Sequence, residues 1–553
     1  MRSFRAMLMV LLTLALTAAT FASPQDKTPA RSQAPAAKPK APAASPADAR
    51  LDALKRDLAA EIDGMQGLTQ QMVDMLFSFA EPGFQEFETK KYCTGILRSR
   101  GFTIEEDVAG IPSGWTARWG SGKPVIALGS DVDSLLGTSQ KPGLPYHAPF
   151  IEGAPGHGEG HNTGIPLSIT AALALKAVME REHIPGTILV WPGIAEELLG
   201  GKAQFAKAGV FKDVDICLFS HIAPGMGVSW GAGGGTGAVS VEYTFKGQSA
   251  HAAAVPWLGR SALDAVELMD TGWNYRREHL RLSQRSHYVI TDGGGQPNVV
   301  PPTASVWYYF REIDYPHIKD MWAAGNSVAE GAAMMTGTTV SWRLLGSAWP
   351  QHMNKVVAET MYGNIEKVGM PKWSEADQAF ARIVQRAMKV RETGLATEVG
   401  RLGGPVRPED NTGGGSDDIG DVSWSVPTVT LRYPGNIPGM TGHHWSSAIA
   451  EATPVAHKGV TAGAKVEALT AADFLLRPEL VRQAWDYFRT VQDKETRYEP
   501  FPGDRDKPAT WLNEKLMQQY RPEMKKFYYD PAKYKTYLEQ LGIPYPPEGP
   551  AKH

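Results

Sequence analysis

Acidic side chains and histidines recur in five short clusters along the 553-residue chain. Carboxylates and imidazoles, without a usable set of thiols, favour borderline to hard divalent cations such as zinc, manganese or cobalt. One cation needs only three or four protein ligands, so this number of candidates predicts a site for two cations. The clusters are Asp131 with Asp133, the run His157, Glu159, His161 and Asn162, the pair Glu196 and Glu197, the single His221, and the pair His443 and His444.

The adjacent pair Glu196 and Glu197 suits a hydrolase. One carboxylate can bind a cation while its neighbour, which points elsewhere, accepts a proton from water that the cation activates. Spacing alone does not assign these two roles.

Short apolar segments must position these clusters. The runs 124–130, 187–192, 215–220 and 427–431 are predicted strands, with helical patterns at 165–180 and 201–208 between them. Strands alternating with helices predict a mainly parallel sheet covered on both faces. Ligands of such sheets bind beyond the carboxyl ends of the strands, where four of the clusters follow and the fifth lies between a strand and a helix. The fold class is therefore α/β.

The middle of the chain predicts a second domain. Strands at 239–245, 286–291, 304–311 and 338–344 and helices at 261–270 and 315–333 give the β-α-β-β-α-β order of a ferredoxin-like motif. We predict a lid at 237–352, inserted between the catalytic segments 51–236 and 353–470. A long helix at 51–75 opens the first segment. An aromatic-rich extension, 471–553, follows the second, and we interpret it as a wrapping segment in preference to an independent binding module.

The beginning of the chain predicts export. Arg2 and Arg5 precede an apolar run and small residues, the pattern of a signal peptide at 1–22 with cleavage after Ala22. Residues 23–50 are rich in Pro, Ala and Lys and predict a flexible linker. A secreted or periplasmic protein, with no membrane segment after cleavage, is expected. The net charge of −3 gives no reason to expect nucleic acid as a partner.

Several longer motifs together resemble the M20 metallopeptidases and amidohydrolases, in the branch of the aminobenzoyl-glutamate hydrolases. The resemblance runs from about residue 51 to 466. Its motifs are Gly-His-Gly-Glu-Gly-His-Asn at 156–162, Ala-Glu-Glu at 195–197 with Gly-Gly-Lys at 200–202, Ser-His at 220–221, Lys-Gly-Gln-Ser-Ala-His-Ala-Ala at 246–253, Pro-Asn-Val-Val-Pro at 297–301, Gly-Ser-Asp-Asp at 415–418 and Gly-His-His-Trp at 442–445.

The resemblance implies a role for each cluster. Glu196 would be the general base, and Asp133 belongs with it in the catalytic set, where Asp131 and Asp133 would fix the orientation of the metal ligands. Glu197 would bind metal. The remaining implied ligands are His161, His221 and His443, with His444 as a lesser candidate.

The resemblance also implies substrate contacts. His251 and Asn298 of the lid would face the substrate, often across a dimer, and stabilise the developing oxyanion. Arg311 is a candidate for binding a substrate carboxylate, although a salt bridge at the strand end explains it equally well. Asp418 matches an acidic residue of structural role.

One departure concerns Glu159. Relatives carry cysteine, a metal ligand, at the position of Glu159 in the Cys-Gly-His-Asn motif. A carboxylate can also bind or bridge cations, which favours zinc or manganese held by oxygen and nitrogen. We therefore expect Glu159 to complete a site for two divalent cations, zinc or manganese with cobalt as a further choice. The alternative is that one cation is lost.

These observations predict a metal-dependent amidohydrolase that acts on a small N-acyl or aminobenzoyl amino acid or dipeptide and forms a homodimer through the lid. An exported dipeptidase or aminoacylase of the same mechanism is one alternative. A non-catalytic binding protein that has lost a metal is the other.

Overall fold

Two β-sheets organise the computed structural model, which describes residues 46–411 and 413–547. The strands are β1 (Thr103–Glu106), β2 (Trp115–Ser121), β3 (Val125–Asp131), β4 (Gly186–Gly193), β5 (Ile216–Ala223), β6 (Gly231–Ala232), β7 (Gly237–Lys246), β8 (Arg285–Asp292), β9 (Thr303–Glu312), β10 (Thr339–Ala348), β11 (His352–Met353) and β12 (Thr428–Pro434). The helices are α1 (Pro46–Gly64), α2 (Gln66–Phe79), α3 (Phe87–Ser99), α4 (Gly164–Glu182), α5 (Lys202–Lys207), α6 (Ala262–Arg276), α7 (Tyr315–Thr336), α8 (Lys355–Val368), α9 (Glu375–Ala387), α10 (Ile419–Ser423), α11 (Pro454–Leu476), α12 (Pro478–Tyr487), α13 (Glu514–Met524) and α14 (Tyr537–Leu541).

The larger sheet has the strand order β1-β2-β4-β3-β5-β12. Its strands β4, β3, β5 and β12 are parallel, which confirms the predicted sheet. Every residue of β3 and β4 is buried, because helices such as α4 and α11 cover the sheet. The antiparallel pair β1–β2 at one edge was not predicted. The registers bring the carboxyl ends of the four parallel strands to one edge.

The smaller sheet is antiparallel, with the order β10-β7-β9-β8. Helices α6 and α7 pack on one face around a core of its own that includes Trp273, Tyr308 and Phe310. This is the predicted β-α-β-β-α-β order. Side chains along β9 alternate between the two faces, so Tyr309 and Arg311 lie on the face opposite that core.

The first helix differs from its prediction. Instead of one helix over 51–75, α1 begins at Pro46 and a break at Met65 separates it from α2. Glycines flank the break at positions 64 and 67, and glycine has a low helix propensity. Residues 46–50 of the predicted linker are thus helical. The predicted signal peptide and the rest of the linker lie outside the described residues.

Helix α4 with the turn before it, His161–Glu182, is long and apolar enough to cross a membrane by composition alone. The sequence interpretation had expected no such segment after the signal peptide. In the structure 89% of its most apolar window is buried inside the protein, as in the core helix of a globular domain.

The C-terminal segment packs over both sheets. Helix α11 continues to Leu476, so the predicted boundary at residue 470 falls within it. Beyond it, the Tyr498 hydroxyl donates to Asp421 at 2.8 Å, next to the larger sheet. Phe501 joins the core of the smaller sheet, and Tyr537 packs against Phe77. The aromatic side chains anchor the segment by contacts of this kind.

Candidate metal centre and active site

Five side chains from four separate loops and strands meet at the carboxyl edge of the larger sheet. We call them the ligand cluster. Each follows or ends a predicted strand or precedes α4, and the ring centroids of its two buried histidines are 5.4 Å apart. The cluster consists of Glu159, His161, Glu197, His221 and His443.

Glu159 lies between two histidines of the cluster. One carboxylate oxygen lies 2.6 Å from His443 Nε2, and the other lies 3.7 Å from His221 Nε2. Burial opposes the charge on Glu159, but the hydrogen bond to His443 and the nearby imidazoles hold its pKa below the usual range. The same hydrogen bond raises the pKa of His443 to about 8. Glu159, the residue at which the chain departs from the resembled Cys-Gly-His-Asn motif, therefore lies among the candidate ligands.

Asp133 supports two members of the ligand cluster. Its backbone carbonyl is 3.2 Å from His161 Nδ1, and its carboxylate accepts the Glu197 backbone N–H at 3.1 Å. Burial disfavours a charged His161, yet the carboxylates of Asp133 and Asp131 hold its pKa well above the usual range. Such a backbone contact fixes the ring of a metal-binding histidine and leaves its other nitrogen free.

The donor atoms of the cluster fit divalent cations. Glu159, Glu197 and His443 each offer an atom within 4.8 Å of the others, and so do Asp131, His161 and His221. His161 Nε2 and Glu197 Oε1 are buried and have no hydrogen-bond partner among the described residues. Buried polar atoms normally have partners, so these two atoms point to a ligand. Nitrogen and oxygen donors of this kind suit zinc or manganese.

The turn that carries Glu196 and Glu197 is a strained backbone segment. Ala195 and Leu199, which flank it, have φ values of 53° and 54°, in the left-handed region that non-glycine residues rarely adopt. Glu86 accepts the Ala195 N–H at 2.9 Å, and the backbone N–H of Ser347 in β10 donates to the Leu199 carbonyl at 2.7 Å. Strain of this kind is typical of functional sites that their surroundings hold in place.

Both glutamates of this turn have raised pKa values. Burial raises the pKa of Glu197 to about 8. For Glu196, burial and the neighbouring carboxylates of Asp417 and Asp131 hold the pKa well above the usual range. A carboxylate with a raised pKa is a stronger base, as a general base requires.

A second group of carboxylates lies directly beside the ligand cluster, around a buried lysine. We call Lys202, Asp131, Asp417 and Asp418 the lysine cluster. Lys202 Nζ lies 2.6 Å from Asp131, 3.2 Å from Asp417 and 2.5 Å from Asp418. A Cβ on Gly193, at the end of β4, would lie 2.0 Å from Asp131 Oδ1, so only glycine leaves room there.

The sequence interpretation missed most of the lysine cluster. It quoted Lys202 only within Gly-Gly-Lys and assigned no role to Asp417, whereas the structural role of Asp418 matches its contacts with Lys202. The neighbouring acidic residues at 417 and 418 were the available signal.

A cavity of about 230 Å³ opens onto both clusters. Glu159, Glu196, Glu197, His221 and His443 line one side. The smaller sheet contributes Tyr309 and Arg311. The alternative interpretation of Arg311, a salt bridge at the strand end, has no counterpart in the described part of the chain. Arg432 of β12 also lines the cavity and was not predicted. An arginine within an otherwise uncharged strand was its signal in the sequence.

Three predicted site residues neither line this cavity nor belong to or support the ligand cluster. His251 and Asn298 are exposed on the lid, where His251 Nδ1 accepts the N–H groups of Ala253 and Ala254 at 3.2 Å. Their predicted role across a dimer stays a prediction. His444 contacts Ser446 instead of the cluster, so the structure brings His443, the first histidine of the pair, to the ligands.

Comparison with known proteins gives the chain its family. A sequence profile of the peptidase dimerisation domain of M20 enzymes matches residues 234–330, which overlap most of the lid predicted at 237–352. The chain is 34% identical over 457 residues to one subunit of the p-aminobenzoyl-glutamate hydrolase of Escherichia coli K12, covering 78% of this chain and 94% of that protein. This chain belongs to the M20 family.

More distant relatives agree with this family. The M20 chain is 26% identical over 460 residues to the mouse Xaa-Arg dipeptidase, with 81% of this chain and 95% of that protein covered. A crystal structure from methicillin-resistant Staphylococcus aureus, of a protein described as an aminohydrolase, shares the fold at a TM-score of 0.52 and 18% identity, covering 76% of this chain and all of that one.

Family membership and the relatives decide the class of activity. The protein is a metal-dependent amidohydrolase of the M20 family, an enzyme that hydrolyses amide or peptide bonds. This finding overrules the alternative of a non-catalytic binding protein.

Proposed function

We propose that this M20 enzyme cleaves the amide bond of a small N-acyl or aminobenzoyl amino acid, or of a dipeptide, with two divalent cations bound at the ligand cluster. The observation that carries the proposal is the position of Glu196, buried and lining the same cavity as Glu159, Glu197 and His221. The E. coli relative named for aminobenzoyl-glutamate supports an aryl amide, and the mouse dipeptidase supports a dipeptide.

The ligand cluster would hold zinc or manganese ions. His161 and His221 with Asp131 would form one group of donors, and Glu159, Glu197 and His443 the other. When bound, the cations would polarise the scissile carbonyl and make water a better nucleophile at neutral pH.

The residues of the chain would guide the proton and hold the substrate. Glu196 takes the proton from the attacking water and delivers it to the leaving nitrogen. Asp133 keeps His161 and Glu197 in orientation through the contacts described above. Arg311 pairs with a substrate carboxylate, and His251 and Asn298 of a second copy of the chain stabilise the oxyanion.

A metal-supplementation assay tests the proposal. Purified protein is stripped of metal, reloaded with zinc or manganese, and assayed on aminobenzoyl-glutamate, N-acyl amino acids and dipeptides. Glu196→Gln is expected to lower kcat by about 10²- to 10⁴-fold without loss of bound metal. Glu398→Gln, an exposed glutamate, is the matched control. Unchanged turnover in Glu196→Gln would refute the role of this residue, and absence of turnover with any metal would refute the substrate class.

Export and assembly are further parts of the proposal. The pattern at 1–22 supports secretion or delivery to the periplasm, and the N-terminal sequence of the protein recovered from its native cells tests it. The dimerisation-domain match at 234–330 supports a homodimer through the lid. Because the E. coli relative is named as one subunit of a hydrolase, light scattering of the chain alone distinguishes a homodimer from a monomer that needs a different subunit.

A further inference from the structure

Two guanidinium groups that form no salt bridge among the described residues line the cavity of the active site. Arg311 comes from β9 of the smaller sheet, and Arg432 comes from β12 of the larger sheet. Arg311 Nε is buried without a hydrogen-bond partner within the described residues, and its guanidinium lies 5.0 Å from the centre of the Tyr309 ring. In residues 46–411 and 413–547, neither arginine forms a salt bridge.

The backbone holds Arg432 firmly at this position. Its N–H donates to the Gly227 carbonyl at 2.9 Å, and its own carbonyl accepts the Gly227 N–H at 2.9 Å. Arg432 pairs in register with His221 of β5, so the two side chains lie on the same face of the sheet.

The charges that line the cavity leave these two arginines in excess once cations bind. Of the carboxylates that line the cavity, Asp417 lies 3.2 Å from Lys202, which leaves Glu159, Glu196 and Glu197. Two divalent cations would more than balance these three. The two guanidinium charges then remain for the substrate. A partly buried cation without an anion is costly, and the arginine fork matches a carboxylate with two parallel hydrogen bonds.

We propose that Arg432 determines specificity by binding a second carboxylate of the substrate. Arg311 binds the α-carboxylate of the amino acid part, and Arg432 binds the carboxylate of its side chain. The preferred substrates are therefore amides of acidic amino acids, with two carboxylates on the part that carries the leaving nitrogen. This inference rests on the proposed amidohydrolase activity and narrows its substrate class.

The experiment compares N-acyl-glutamate with N-acyl-glutamine, which has the same shape without the second charge. The metal-loaded protein is expected to prefer the glutamate compound by about 10- to 100-fold in kcat/KM, mainly through KM. Arg432→Met is expected to remove most of this preference. Arg432→Lys, which keeps the charge but not the fork, should restore part of it. Arg391→Met, at an exposed arginine, is the matched control and should leave the preference intact.

Calorimetry with the free amino acids separates this inference from the proposed function. Metal-loaded protein should bind glutamate about 10-fold or more tightly than glutamine, and Arg432→Met should lose this difference while it keeps its metal content and Tm. Equal hydrolysis of the two N-acyl compounds by the unaltered protein, or a preference unchanged in Arg432→Met, would overturn the role of Arg432. If no amide is hydrolysed, the proposed function fails, and the calorimetric comparison still decides whether Arg432 selects a second carboxylate.

Discussion

The ligand cluster and the lysine cluster lie side by side at one edge of the larger sheet, and each contains more than one carboxylate. In the lysine cluster, an internal cation lies within 3.2 Å of three aspartates. The ligand cluster has carboxylates and histidines, two of whose buried atoms lack partners within the described part of the chain. Asp131 contacts Lys202 and also belongs to a group of candidate ligands, so it joins the two. The difference indicates that the chain supplies its own cation to the lysine cluster, whereas the ligand cluster is arranged to receive bound cations.

Removal of metal should give the largest difference between the two clusters. Incubation with a strong chelator is expected to abolish amide hydrolysis, because the ligand cluster loses its cations. The protein should stay folded, because the lysine cluster keeps its own cation, but its Tm should fall when the bound metal is lost. An activity assay and thermal unfolding measured on the same samples check this. Readdition of zinc or manganese is the control, and full activity in metal-free protein would contradict the assignment.

The next largest effect is expected from Lys202→Met. This change leaves Asp131, Asp417 and Asp418 buried without their cation, which should lower the free energy of unfolding by about 3–5 kcal/mol. Urea denaturation measures it, with Lys212→Met at an exposed lysine as the control. A loss below about 1 kcal/mol would show that the aspartates are neutralised in another way.

Substitution of Glu159 should alter the ligand cluster alone. Glu159→Ala is expected to lower the metal content from about two cations per chain to one, and Glu159→Cys should keep both while shifting the preference towards zinc over manganese. Elemental analysis after dialysis against equal amounts of zinc and manganese gives the number of cations per chain and the ratio of the two metals. Two retained cations in Glu159→Ala would exclude Glu159 as a ligand.

The smallest effect concerns Asp421, a buried carboxylate near the lysine cluster that has hydrogen bonds but forms no salt bridge with any residue that the structure describes. Burial raises its pKa to about 8, although Tyr498 and the Trp349 N–H donate to it. A carboxyl with a raised folded pKa contributes stability below its unfolded pKa of 3.8, and this contribution is lost as the pH rises towards 8.

Asp421→Asn should therefore flatten the fall in unfolding free energy between pH 5 and pH 8, by a difference on the order of 1–3 kcal/mol. Urea denaturation at the two pH values measures the slope. Tyr498→Phe, which removes one donor and keeps the carboxyl, should retain the unaltered slope or steepen it. Identical slopes for Asp421→Asn and the unaltered protein would show that this carboxyl does not titrate in that range.

Much of the fold could be predicted because its elements follow local patterns. The four parallel strands and the alternating β-α-β-β-α-β order were visible as apolar runs of the right length. The antiparallel pair β1–β2 was missed, because β1 has only four residues and is mostly exposed. Such a short exposed strand has no alternation of apolar and polar residues that would indicate it. The break between α1 and α2 was missed as well, since glycine within a helical pattern lowers helix propensity without marking a helix end.

The metal ligands of the candidate site could be predicted from the sequence, whereas Lys202 and Arg432 could not. Glu159, His161, Glu197, His221 and His443 were recognisable because each sits at a strand end or in a motif with a chemical reason. Lys202 was not recognisable as a buried cation, because the aspartate that contacts it most closely, Asp418, is 216 residues away in the chain. The position of Arg432 in the active-site cavity was likewise not predictable, because β9 of the smaller sheet also lines this cavity.

The sequence by itself determined the types of ligand, the α/β order of the elements and the family of the protein, because these depend on residues close together in the chain. Only the tertiary structure decided that His443 is the member of its pair that joins the cluster, that Lys202 contacts three aspartates, and that Arg311 and Arg432 face one cavity. These features depend on distances between segments far apart in the chain, which the register of the strands and the packing of the two sheets fix.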